Sequence, residues 1–361
     1  MSICIVCVCL SVAGQPPHLD VARPEPRGET IPVPHRGDSA DDPAIWVHPS
    51  KPDKGLILGT NKKGGLHVYD FDGRELQVVD VDSRPNNVDI LYDFPLAKER
   101  VDLAVVSSRH ENRPGLKAYK IDPESRQLQS VLAGEVHSFL DGSPPYGLCT
   151  YRSPTTGKGY VFANRKDGNI VQYEVVDGRD GNVHFEKVRS FAVPSQPEGM
   201  VADCHRGVIY VGEEKKGIWM FPAEPDGGTR GEIVVKVGEH GLAADVEGLA
   251  IYRAAPMKGY LIASSQGNHT FKVYELGGAH RFLLTIDPAP GRFGKPTGTD
   301  GIAVSNAPAG RQFPRGLFVV QDGRAGDKEK VESKAQNFKL YGWEDIAGKS
   351  LVVSPEVDPR R

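Results

Sequence analysis

Four acidic residues stand at recurrent openings in this chain: Asp42 in Asp41-Asp42-Pro43-Ala44-Ile45, Glu198 before Gly199, Glu247 before Gly248 and Asp300 before Gly301. Further acids and an amide lie close to strand-like runs: Asp38, Asp41, Glu213, Glu214, Asp245, Gln266 and Asp322. Carboxylates gathered in one place repel one another unless a cation or a hydrogen bond compensates. A set with oxygen ligands only, without His or Cys, favours a hard cation, calcium before magnesium. The turns between the same runs carry fixed positive charge in Lys62, Lys63, Arg109 and Lys166. Fixed cations beside a bound metal suit an anionic, phosphorylated ligand. No GxSxG, Cys–His pair or P-loop is present, so a covalent nucleophile is not indicated.

These residues are far apart in sequence, and a repeat is what could gather them. Asn86-Asn87-Val88-Asp89-Ile90 and Pro145-Tyr146-Gly147-Leu148 are looser versions of the same opening. With positions 42, 87, 146, 198, 247 and 300 taken as one phase, the spacings are 45, 59, 52, 49 and 53 residues. Periods of this size belong to radial sheet repeats, in which each blade needs about four strands and their turns. The stretch from Pro197 to Phe221 shows the unit: short apolar runs separated by the tight turns His205-Arg206-Gly207 and Lys215-Lys216-Gly217. The expected fold is all-β: a six-bladed β-propeller of four-stranded antiparallel blades around a central channel, formed by residues 30–361. In such a ring the innermost strands run along the channel, so residues at the repeat starts meet at one mouth.

Composition agrees with many turns and short strands, at 41 Gly and 28 Pro against 39% hydrophobic residues. A formal net charge of -3 shows no overall basic footprint for a nucleic-acid partner. The apolar run at residues 1–14 is too short to span a bilayer and ends in small residues, like a secretory signal. A secreted or periplasmic monomer is expected, with residues 15–29 as a flexible leader and Thr30 to His35 as a strand that closes the last blade. Cys149 and Cys204 read as small buried side chains in apolar strands.

Taken in order, DSADDPAIWVHP, TNKKGGLHVYD, NNVDILYDFPL, QPEGMVADCHRGVIYVGEE, DVEGLAIY, GYLIASSQGN and FVVQDG resemble the motifs of the β-propeller phytases. That family hydrolyses myo-inositol hexakisphosphate with several calcium ions, by direct attack of a calcium-activated water. The resemblance implies that Asp42 is a structural calcium ligand, helped by the carbonyls of Pro43 and Val88. It implies that Asp41, Glu198, Glu214, Asp245, Glu247, Gln266, Asp300 and Asp322 surround the channel calciums and the attacking water. Lys62, Lys63, Arg109, Tyr146 and Lys166 become ligands of substrate phosphates, and Asp41, Arg109, Glu198 and Glu214 the catalytic set. Arg165-Lys166 stands where the family has a plainer glycine–lysine turn, and the insertion from Arg324 to Lys334 lets Asp322 align with a different family acid. Two other readings stay open: a calcium-dependent propeller lactonase or phosphodiesterase, and a non-catalytic propeller that binds a protein.

Overall fold

The middle strands of the repeats are buried on both faces, which decides the architecture. In a computed structural model describing residues 20–132, 137–138, 142–323 and 335–360, every residue of Leu56–Asn61, Gly159–Asn164 and Leu317–Asp322 is buried. A strand that is apolar on both faces needs a sheet against each, and a closed ring of sheets supplies both. Six antiparallel blades result. Their inner strands are Ala40–Trp46, Pro85–Leu96, Leu148–Arg152, Pro197–Asp203, Val246–Ala255 and Ile302–Ser305. Each inner strand lies against the next, and Ile302–Ser305 meets Ala40–Trp46 to close the ring.

The hydrophobic core is correspondingly divided. Six apolar clusters each join two neighbouring blades. Trp46 and Leu58 of blade 1 pack with Ile90 and Tyr119 of blade 2. Phe318 and Tyr341 of blade 6 pack with Tyr252 and Phe271 of blade 5. Phe338 of blade 6 packs with Ile57 and Tyr69 of blade 1. Each large side chain so buried contributes about 1.5–3 kcal/mol, and each blade relies on both neighbours for it.

The glycine of the repeat opening has a steric reason. A Cβ at Gly147 would lie 1.8 Å from the Glu198 carbonyl oxygen, and one at Gly199 would lie 2.2 Å from that of Glu247. The same position in blade 5, Gly248, faces Ile302, and Gly301 faces Asp42 of blade 1. At Gly147, Gly199 and Gly248 the nearest atom is backbone, which cannot yield cheaply. Gly199→Ala is therefore expected to cost about 1–3 kcal/mol, read as a lower Tm; an unchanged Tm would show that the inner strands need no such approach.

Ring closure uses the N-terminal segment, with its paired strand just before the expected one. The paired strand is Gly28–Glu29, which joins Asn337–Gly342 of blade 6. Thr30 and Val33 continue the contact by donating to the carbonyls of Phe338 and Gln336. The flexible leader expected at 15–29 is corrected over its described part. Asp20–Ala22 runs parallel to Phe282–Ile286 at the outer edge of blade 5. Its charges, which suggested a solvated tail, are paired: Arg23 with Asp287 at 2.7 Å, and Arg27 with Glu344 and Asp345, both at 2.8 Å. The signal-like run, the first residues of the leader and the insertion at 324–334 lie outside the described residues. Cys149 is buried in its strand, while Cys204 is half-buried just after Pro197–Asp203; both are free thiols. No described helix is long and apolar enough to cross a membrane.

Candidate active site

The inner strands are irregular where their openings reach the channel. Register shifts fall between Ala40 and Pro43, Pro85 and Val88, Pro197 and Met200, and Val246 and Leu249. A bulge re-aims the side chains it carries, and these four carry Asp41, Asp42, Asn86, Asn87, Glu198 and Glu247. Glu214 joins them from the turn after Val208–Glu213, and Asp300 from the loop before Ile302–Ser305.

A second device fixes the openings against each other. Blade 1's second strand carries Thr60, whose hydroxyl accepts from the Asp42 N–H at 2.9 Å and donates to the Asn86 carbonyl at 2.7 Å. Ser107 does the same for Asn87 and Tyr146, at 2.9 and 2.6 Å. Asn164 links Gly147 to Glu198, at 2.9 and 2.8 Å. Gln321 links Asp300 to Ala40 across the closure, both at 2.9 Å. Each accepts from its own blade and donates to the next. Sequence reasoning missed these roles; the available signal is a small polar or amide residue ending the second apolar run of a repeat.

One oxygen each from Glu198, Glu214 and Glu247 lies within 4.8 Å of the others, and all three residues are buried. Asn86 donates to Glu198 at 3.0 Å, and Gln196 donates to Glu214. Among the described residues, Oε2 of Glu247 is buried without a hydrogen-bond partner, and Oδ2 of Asp41 has only the Lys62 ammonium, at 3.4 Å. Burial, and then the neighbouring carboxylates, pushes Glu214 up to about 7 and holds Asp41 and Glu247 well above the usual carboxylate range. Asp300 is raised to about 6 by burial, although Lys62 opposes this. Carboxylates gathered this closely repel one another unless a proton or a cation compensates. Orphaned, buried, all-oxygen acceptors fit a hard cation.

A positive side faces this cluster. Lys62 lies 3.1 Å from Asp300 and 3.4 Å from Asp41, and pairs with Asp38 at 2.5 Å. The Arg109 guanidinium carbon lies 5.2 Å from the centre of the Tyr146 ring, and Lys166 Nζ lies 4.2 Å from it. The Tyr146 phenol is held protonated by burial and by the charge of Glu198.

Comparison with known proteins decides between the readings of such a mouth. The family model described as Phytase matches residues 3–361. A 3-phytase of Bacillus subtilis (strain 168) is 42% identical over 338 residues, covering 92% of this chain and 87% of that protein. The chain belongs to the phytase family. Solved structures include the Myceliophteria thermophila Cps50 (Swd1) β-propeller domain, with TM-score 0.47, 12% identity and 84% and 83% of the two chains covered. The RRP9 WD40 repeats follow at TM-score 0.46 and 10% identity, with 83% and 78% covered. Both fall below the level at which likeness carries an argument.

Against the phytase expectation, most of the named residues gather at the mouth. Gln266 donates to Asp300 at 2.7 Å, and the charge of Asp245 helps to raise Glu214. Asp42 accepts from the Val88 N–H at 3.1 Å and, with Pro43 and Val88, lines an axial cavity of about 830 Å³ that continues down the channel past Ile90, Leu148 and Ile302. Three residues are directed differently. Lys63 is exposed and donates to the Arg36 carbonyl at 2.6 Å. Asp322 accepts from Thr297 N–H at 3.2 Å and lies 3.5 Å from Lys339, an ammonium that no local sequence feature marks as its partner. Glu213 accepts from Ser195 and, at 2.7 Å, from the Trp219 indole, because alternation along its strand turns it opposite to Glu214.

Proposed function

We propose that this phytase is calcium-dependent and hydrolyses phosphomonoesters of myo-inositol hexakisphosphate by direct attack of water. The observation that carries this reading is the juxtaposition at one channel mouth of buried carboxylates, with Oε2 of Glu247 unpartnered among the described residues, and the cations Lys62, Arg109 and Lys166. Glu198, Glu214, Glu247, Asp41 and Asp300 would hold calcium there, with Asp42 and the carbonyls of Pro43 and Val88 holding a structural ion. Bound calcium supplies charge neutralisation and activation of water. The protein's own groups do the rest. Arg109 and Lys166 grip phosphoryl oxygens, Tyr146 sets the angle of both cations, and Lys62 holds a neighbouring phosphate. Glu214, which accepts from Gln196 at the edge of the cluster, would take the proton from attacking water.

A lactonase acting on a neutral ester has little use for three cations around the substrate, which favours the phosphatase reading. The signal-like N-terminal run supports export, and we place the enzyme outside the cytoplasm as a monomer acting on a small molecule, without nucleic-acid or membrane partners. Phosphate release from inositol hexakisphosphate should vanish in chelator and return with added calcium. Undiminished release in chelator would overturn the calcium assignment. Asp42→Ala should mainly lower Tm, whereas Glu214→Ala should mainly lower turnover; equal loss of turnover in both would remove the distinction between structural and reacting ions.

A further inference from the structure

Beneath the Lys62–Lys63 turn lies a polar relay, buried at Asn61 and His67, that the site described above does not use. Asn61, fully buried, accepts the Lys63 backbone N–H on its side-chain oxygen at 3.1 Å. That N–H can only donate, so the amide orientation follows: its NH2 group faces the two imidazoles. One hydrogen reaches His35 Nδ1 at 3.0 Å and the other His67 Nε2 at 3.2 Å. Both ring nitrogens must therefore be acceptors. The proton of His67 sits on Nδ1, which donates to Glu75 at 2.6 Å. Among the described residues, the other titratable groups around His67 are His35, across Asn61, and Tyr69, stacked at 6.0 Å on its own strand and held protonated by burial. Asn61 also fixes the turn through its backbone, accepting from Gly64 at 2.9 Å.

We propose that Asn61 and His67 are positioning residues that hold the Lys62–Lys63 turn, and with it the Lys62 ammonium, in place for a substrate phosphate only while His67 is neutral. The inference rests on the reading of Lys62 as a phosphate ligand. A proton gained at His67 Nε2 sets a donor against the Asn61 NH2. The amide must then rotate, which turns its NH2 onto the Lys63 N–H and releases the turn. Acid should therefore weaken substrate binding through a group that touches neither substrate nor the carboxylates.

Kinetics of phosphate release from inositol hexakisphosphate at saturating calcium test this, with Lys62→Ala as the reference. Asn61→Ala and His67→Ala are expected to raise KM about tenfold while kcat stays within about twofold. His67→Gln should rescue KM, because its amide offers an acceptor to Asn61 and a donor to Glu75 and gains no proton. The ratio of wild-type KM to that of His67→Gln cancels the ionisation of the substrate and of the carboxylates. It should rise as pH falls. A flat ratio overturns the proposal, whether or not the alanine variants fold. So does a wild-type KM in Asn61→Ala when Lys62→Ala raises it. A wild-type KM in Lys62→Ala instead overturns the reading of Lys62, and this inference with it.

Discussion

Arg109→Ala is expected to lower kcat/KM for inositol hexakisphosphate about a hundredfold or more, with little change in Tm. Nε of Arg109 is buried and has no hydrogen-bond partner among the described residues, although its guanidinium is packed on Tyr146. A surface arginine in an ordinary ion pair would be nearly silent when removed, because such pairs are worth at most about 1 kcal/mol. Arg109 keeps donors free beside the carboxylate cluster, where its charge lowers the pKa of Asp41 against the effect of burial. Charge is redistributed over the phosphoryl oxygens in the transition state, and a guanidinium can grip two of them at once. Arg109→Lys should recover only part of the loss, since an ammonium lacks the fork. Kinetics within about threefold of wild type in Arg109→Ala would remove Arg109 from the reaction.

The second large effect is on stability. In chelator, Tm should fall as pH rises from about 4 to 7. The sign follows from linkage: Asp300, raised to about 6, and Glu214, to about 7, keep protons in the folded state that the unfolded chain has already released. Above the unfolded values the folded state must either hold those protons or ionise carboxylates that burial and their neighbours disfavour, so stability is lost through this window. Calcium should reverse the trend, because protons compete with it for the same oxygens. Binding to the native state alone adds about 2.7 kcal/mol per site at a hundredfold excess over Kd. The gain in Tm on adding calcium should thus be small near pH 5 and large near pH 7.5 (values at about these pH points suffice). A gain independent of pH would show that the raised carboxylates are not the ligands.

Much of this architecture was legible in the chain. The repeated acid–glycine opening marked the inner strands because two requirements coincide there: an acid for the mouth and no Cβ where the next inner strand approaches. The six-blade count followed from that spacing. The N-terminal segment was harder to read, since its Pro, Arg and Glu content is that of a solvated tail. Only the distant partners Asp287, Glu344 and Asp345 turn Arg23 and Arg27 into anchors. Sequence adjacency also misled locally. Glu213 and Glu214 are consecutive, yet one faces the Trp219 indole and the other the cluster. The polar residues that tie the openings together, Thr60, Ser107, Asn164 and Gln321, differ in type, and their shared role is visible only once the blades are in register.

The central claim is that the Glu198, Glu214 and Glu247 carboxylates act together as a cation site. Calorimetric titration of calcium into chelator-stripped wild-type and Glu247→Gln protein tests it most directly. Among the described residues Glu247 supplies a buried oxygen with no hydrogen-bond partner, and the amide keeps its size while removing its charge. Glu247→Gln is expected to lose at least one class of calcium site and, with it, phosphate release. Superimposable isotherms for the two proteins would contradict it.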